Sequence, residues 1–167
     1  MNDRPRRPFV AVMGGSKVSD KLAVIEALLE QGESLIVGGG MCFTFLKAKG
    51  HRIGSSLCED DMVAPCKALL EGPKMIHLPY DITAMGPDGR LFEPEAGGDV
   101  RQIGVEIPDG WMGVDIGPGS AAQFGDVIHQ AGTVLWNGPM GVFEDSRFAG
   151  GTGAVAQAMA DTKAFTI

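Results

Sequence analysis

The sequence predicts an α/β fold, a Rossmann-like and mostly parallel sheet of about six strands with helices on both faces, in a single domain. Two observations carry this prediction. Short apolar runs rich in β-formers alternate with segments of helical periodicity, and glycine clusters follow several of the apolar runs. Continuous apolar strands that are each followed by a helix are typical of a parallel sheet covered on both faces.

The individual elements follow from these patterns. The predicted strands span residues 9–13, 34–37, 74–78, 111–116, 133–136 and 164–167. Helical spacing of apolar residues predicts helices at 20–31, 41–49, 60–71, 120–131 and 148–160. Ser19 and Ser120 are the predicted N-caps of the first and fourth helices. Residues 81–108 break the alternation, and the sequence GPDG at 86–89 predicts a turn within a small antiparallel excursion.

Composition excludes several classes of function. The formal net charge of −7 argues against broad binding to nucleic acid or to a membrane surface, because both require a positive face. No apolar stretch approaches the roughly 20 residues that span a bilayer, and the three cysteines lack a C-x-x-C spacing. We therefore expect a cytoplasmic protein with reduced thiols, in which residues 1–7 are a flexible leader and residues 8–167 are the domain.

The glycine clusters indicate where a ligand binds. In open parallel sheets, ligands bind beyond the carboxyl ends of the strands, and glycines follow the predicted strands at 14–15, 38–40, 117–119 and 138–141. Lys17 and Lys21 lie in the loop and first helical turn after the first strand, where helix N-termini favour anions. A phosphate is the predicted ligand. The alternative is that both lysines are merely solvated, because lysines near a helix start often are and a four-residue spacing occurs by chance. The motif matches neither G-x-x-x-x-G-K-[ST] nor G-x-G-x-x-G, so neither the standard P-loop nor the dinucleotide fingerprint applies.

Four segments resemble one known family in their order and separation. They are GGSKVSDK at 14–21, LIVGGGMCFTFLKAKG at 35–50, IPDGWMGVDIGP at 107–118 and TVLWNGPMGVFE at 133–144. Together they are similar to the carboxyl-terminal, nucleotide-binding domain of phosphoglycerate kinase, and the resemblance extends over about residues 7–167. WNGPMGVFE is its most specific part.

The resemblance implies reversible phosphoryl transfer between 1,3-bisphosphoglycerate and ADP in glycolysis, with Mg²⁺ accompanying ADP or ATP. It implies that Lys17 is catalytic and steadies the transferring phosphoryl group, while Lys21 and Asn137 contact nucleotide phosphates. Glu144 is directed at the ribose hydroxyls. The remaining expected nucleotide-binding residues are Gly15, Ser16, Gly39, Gly40, Leu57, Gly113, Val114, Pro139, Gly141 and Val142.

The sequence also departs from the family pattern. In the family, 3-phosphoglycerate binds to an amino-terminal domain, and a Gly-Gly-Gly-Asp segment supplies an aspartate ligand for magnesium; neither has a counterpart in these residues. We therefore expect a domain that is incomplete at its C-terminal end, that holds no metal ligand, that is inactive alone, and that self-associates through an exposed sheet edge. The alternative is a non-catalytic nucleotide-binding or interaction module derived from the same domain.

Overall fold

The apolar runs form strands and the periodic segments form helices, much as their patterns predict. In the computed structural model, which describes residues 4–167, the longest helix has 13 residues, and none of the helices in that range is long and apolar enough to cross a membrane. The elements are β1 (Phe9–Met13), α1 (Leu22–Gln31), β2 (Ser34–Val37), α2 (Met41–Ala48), α3 (Val63–Leu70), β3 (Met75–His77), β4 (Asp81–Met85), β5 (Val100–Gly104), β6 (Met112–Ile116), α4 (Pro118–Gln130), β7 (Thr133–Asn137), α5 (Gly150–Asp161) and β8 (Phe165–Thr166).

The main sheet has five parallel strands in the order β3-β2-β1-β7-β8. β1 lies in the middle and is buried along its whole length. Because successive side chains point to opposite faces of a strand, Ala11 and Met13 pack into the core beneath α1 and α2, whereas Val10 and Val12 pack into the core beneath α4 and α5. A strand with two covered faces must be apolar throughout, which is why FVAVM shows no alternation.

The α/β class is confirmed, with a correction to the strand count. The main sheet has five strands instead of about six, because the strand predicted at 111–116 pairs antiparallel with β4 in a second sheet, whose order is β5-β4-β6. The small antiparallel excursion is confirmed as well. Its predicted turn is closed by a hydrogen bond of 3.0 Å from the Gly89 N–H to the Gly86 carbonyl.

Both predicted serine caps are wrong, because neither serine lies at the N-cap position of its helix. The Ser19 hydroxyl donates to Glu59, and the residue at the N-cap of α1 is Lys21, whose side chain forms no capping bond. Ser120 lies inside α4 and its N–H donates to Asp81 Oδ1 at 2.7 Å. Asp81 therefore satisfies the first turn of α4 from outside the helix.

The described residues near the two ends of the chain contact the main sheet in different places. Residues 1–3 of the predicted leader are outside the described range, while Arg7 forms an ion pair of 3.0 Å with Glu33. At the other end β8 is an edge strand next to β7. Other residues cover this strand only partly, since Phe165 within it and Ile167 after it are 56% and 62% exposed.

A glycine junction joins the loops that follow β1, β2 and β7; it comprises Gly14, Gly15, Gly38, Gly39 and Gly138. Backbone hydrogen bonds connect these loops directly, from the Gly15 N–H to the Pro139 carbonyl at 3.1 Å and from the Gly39 N–H to the Met140 carbonyl at 3.0 Å. There is no space for side chains. A Cβ on Gly14 would lie 2.1 Å from the Pro139 oxygen.

We expect replacement of Gly39 by alanine to destabilise the fold strongly. Gly39 has a φ of +67°, and its Cβ would lie 2.6 Å from the Gly15 nitrogen and oxygen. Gly50 is the matched control, because it also has a positive φ, +94°, but has nothing within 4 Å of the new atom. Urea unfolding should show a loss of about 1 kcal/mol for Gly50→Ala, from backbone strain alone, and roughly 3 kcal/mol for Gly39→Ala. Equal losses would contradict a role for the close approach.

Candidate functional site

A cavity of about 520 Å³ lies beside the glycine junction, at the carboxyl ends of β1 and β2. Most of the residues that the resemblance identified line it, although they come from distant parts of the sequence. They are Gly15, Ser16, Gly39, Gly40, Leu57, Gly113, Val114, Pro139, Gly141, Val142 and Glu144. The volume is in the range of ordinary small-molecule sites.

Sequence reasoning missed part of the lining, namely Phe43, Leu91, Phe92, Met112, Asp115 and Met140. Phe43 explains why residue 113 is glycine, since a Cβ at Gly113 would lie 2.3 Å from the Phe43 ring. A signal existed for Phe43, Met112, Asp115 and Met140, which lie within the motifs quoted above. None existed for Leu91 and Phe92, because they lie in the irregular connection between β4 and β5.

Lys21 and Asn137 are outside the cavity lining but adjacent to it. The Lys21 Nζ donates to the Gly14 carbonyl at 2.7 Å and to Asn137 Oδ1 at 2.8 Å. It lies 3.1 Å from the point where a Cβ of Gly15 would be. Partial burial lowers the pKa of Lys21, with Asp20 opposing the shift. An ammonium has three N–H donors, so one is available to a ligand at the edge of the cavity.

Lys17 is exposed on the same loop and does not line the cavity. Its loop is held by Glu59, whose carboxylate accepts the Val18 N–H at 2.6 Å and the Ser19 N–H at 3.2 Å. Glu59 follows Leu57 by two residues, so this carboxylate ties the lysine loop to one wall of the cavity.

A second cavity, of about 620 Å³, lies between α4, α5 and the antiparallel sheet. It is larger, but it contains none of the residues of the glycine junction and neither Lys17 nor Lys21. We therefore take the smaller cavity as the candidate site. Within residues 4–167, no three His, Cys, Asp or Glu side chains are grouped so that they could hold a metal ion.

Asp115 separates the two cavities and lines both. It is 4% exposed, and its carboxylate accepts the Gly151 N–H at 2.7 Å and the Ile116 N–H at 2.9 Å. Gly141 and Gly151 make room for it, because a Cβ at either would lie within 2.4 Å of Oδ1. Burial raises the pKa of Asp115 to about 6, and the two N–H donors only partly oppose this.

Comparisons with known proteins identify a common family. The profile of the phosphoglycerate kinase family matches residues 1–167. The phosphoglycerate kinase of Salinispora arenicola is 54% identical over 170 residues, which cover 100% of this chain and 41% of that protein. That of Rhodococcus jostii is 50% identical over 160 residues, 95% of this chain and 38% of the relative. The structure of phosphoglycerate kinase from Coxiella burnetii superimposes with a TM-score of 0.90 at 38% identity, covering 98% of this chain and 42% of that one.

We expect Asp115 to make stability fall as the pH rises from about 4 to about 6. Its folded pKa is raised, so in this interval the folded state binds more protons than the unfolded state, and each added unit of pH favours unfolding. Relative to Asp115→Asn, the wild type should lose roughly 1–3 kcal/mol across this interval and change little above it. Urea unfolding of both proteins at several pH values measures the difference. Parallel pH profiles would contradict the prediction.

Proposed function

Because the chain belongs to the phosphoglycerate kinase family, we propose that it is the ADP- and ATP-binding part of a kinase that transfers a phosphoryl group between 1,3-bisphosphoglycerate and ADP. The observation that carries this proposal is the convergence of the glycine loops on one cavity, with the ammonium of Lys21 beside it. The chain spans only about two fifths of its relatives, so the reaction is proposed for the enzyme to which such a domain contributes.

The cavity suits the adenosine part of a nucleotide. Its walls combine bare glycine backbone with apolar side chains, among them Leu57, Val114 and Val142. A flat aromatic base can approach such backbone closely, because no side chain stands between them. The exposed carboxylate of Glu144 belongs to the same lining and is the acceptor we assign to the ribose hydroxyls.

Phosphate binding is assigned to the loop after β1 and to the end of β7. Lys21 has a remaining N–H donor, and the amide nitrogen of Asn137 adds two more, since Asn137 uses its oxygen to accept from Lys21. Lys17, exposed on the same loop, is the residue we assign to the transferring phosphoryl group. Phosphoryl transfer requires alignment and charge stabilisation more than covalent chemistry, and two cations on one fixed loop provide both.

We assign no magnesium ligand among residues 4–167. The described residues offer no suitable cluster of donors, so no step of the proposal passes through a protein-bound metal ion, and Mg²⁺ is taken to arrive with the nucleotide phosphates. We expect the 167-residue chain to bind ADP without catalysing turnover when assayed alone. The family resemblance assigns the acid substrate to a different domain.

We expect Lys21→Ala to weaken ADP binding about ten- to a hundredfold, because it removes a charge-assisted hydrogen bond to phosphate. Adenosine has no phosphate, so its affinity should change less than about twofold. Calorimetric titration of both ligands, with and without Mg²⁺, measures this. Lys163→Ala is the control, since that lysine is exposed and lies outside the cavity lining.

Two results would contradict the proposal in different ways. A wild-type chain that binds neither adenosine nor ADP would refute a nucleotide site. An equal loss of adenosine and ADP affinity in Lys21→Ala would show that the lysine supports the cavity through Gly14 and Asn137 and does not bind phosphate.

A further inference from the structure

Phe92 has an unusual backbone conformation at the edge of the candidate site. It is the non-glycine residue with a positive φ within residues 4–167, at +64°. Side chains rarely adopt this conformation, so the surrounding structure must hold it there. The Phe92 side chain is 60% exposed and contributes to the cavity lining. An exposed aromatic ring therefore lies at a ligand cavity on a backbone that does not favour it.

Two charged residues, Asp145 and Arg147, hold the backbone of residues 90–92 from outside the cavity. The Asp145 carboxylate accepts the Phe92 N–H through Oδ2 at 2.9 Å. The Arg147 guanidinium donates to both oxygens of Asp145, from Nε at 3.0 Å and from Nη2 at 2.7 Å, and its Nη2 also donates to the Arg90 carbonyl at 2.7 Å. Asp145 and Arg147 thus bind the backbone on both sides of Leu91, and we call them the clamp.

The clamp is shielded and remains charged. The Asp145 and Arg147 side chains are only 2% and 20% exposed. The guanidinium, with further help from the N–H of Phe92, holds the pKa of Asp145 well below its usual range, and Asp145 raises the pKa of Arg147. Arg147 also packs over the buried ring of Phe148, 4.7 Å from its centroid. This anchor belongs to the short 3₁₀ helix Ser146–Phe148 and its N-cap Asp145, outside the connection that it holds.

Neither clamp residue lines the candidate site, whereas both Leu91 and Phe92 do. We propose that Asp145 and Arg147 are positioning residues, which fix Phe92 at the mouth of the cavity so that its ring is in place before the apolar part of a ligand arrives. This inference rests on the proposed nucleotide site and adds a determinant of its affinity. A wall segment that is ordered in advance avoids the entropy cost of ordering on binding.

The test is a double-mutant cycle between the clamp and the ring, with adenosine and ADP as the ligands. Asp145→Ala should weaken both ligands about three- to tenfold, because the base is common to both. Phe92→Ala should weaken both as well. In the Phe92→Ala background, removal of Asp145 should have little further effect, since the clamp then has no ring to position. A merely structural contribution would lower the stability of all these variants and leave the two affinity losses additive.

Arg147→Lys is the second, milder variant, and it decides the question if Asp145→Ala fails to fold. Lysine keeps the positive charge beside Asp145, but it cannot donate to both carboxylate oxygens and to the Arg90 carbonyl in the same fork. It should cause a smaller loss of affinity, of about two- to threefold, that also disappears in the Phe92→Ala background. Wild-type affinity in a folded clamp variant, or additive losses, would overturn the inference. Absence of adenosine and ADP binding in the wild type would instead refute the nucleotide site itself.

Discussion

The architecture depends on the contact of bare backbone with bare backbone at the glycine junction. The loops after β1, β2 and β7 meet closely enough that the Gly15 and Gly39 N–H groups donate to carbonyls of the loop after β7. Any side chain at Gly14 would overlap the Pro139 oxygen. Three features depend on this contact, because each is attached to one of those loops. They are the rim of the sheet, the position of Lys21 and one side of the cavity.

Carboxylates that are distant in the sequence complete what the junction begins. Glu59 holds the loop of Lys17, Asp81 satisfies the N-terminus of α4, and Asp145 holds the segment of Phe92. Each accepts backbone N–H groups that would otherwise lack a partner inside the fold. Two irregular segments at the site, the loop of Lys17 and the segment of Phe92, therefore have fixed positions without being part of a helix or strand.

These long-range contacts mark the limit of what the sequence predicts. β1 and α1 are local patterns, and their positions were predicted to within about two residues. The strand at 112–116 was assigned to the wrong sheet, because an apolar run does not reveal its pairing partner. The cavity residues were identified through family motifs, and Phe92 was missed because it lies outside those motifs and its backbone is held by a hydrogen bond to a residue 53 positions away. The predicted caps at Ser19 and Ser120 were wrong for a similar reason, because the partners of these serines lie far away in the sequence.

The scarcity of side chains in one wall of the cavity affects how the site responds to a ligand. Gly15, Gly39 and Gly40 have no rotamers, so this wall has no side-chain freedom to lose when a ligand occupies the cavity. Its shape is set by φ and ψ angles that the hydrogen bonds between the loops already fix. Discrimination at this wall must therefore depend on the thickness of the ligand and the direction of its polar atoms, because a rigid surface cannot rearrange to accommodate a bulkier ring.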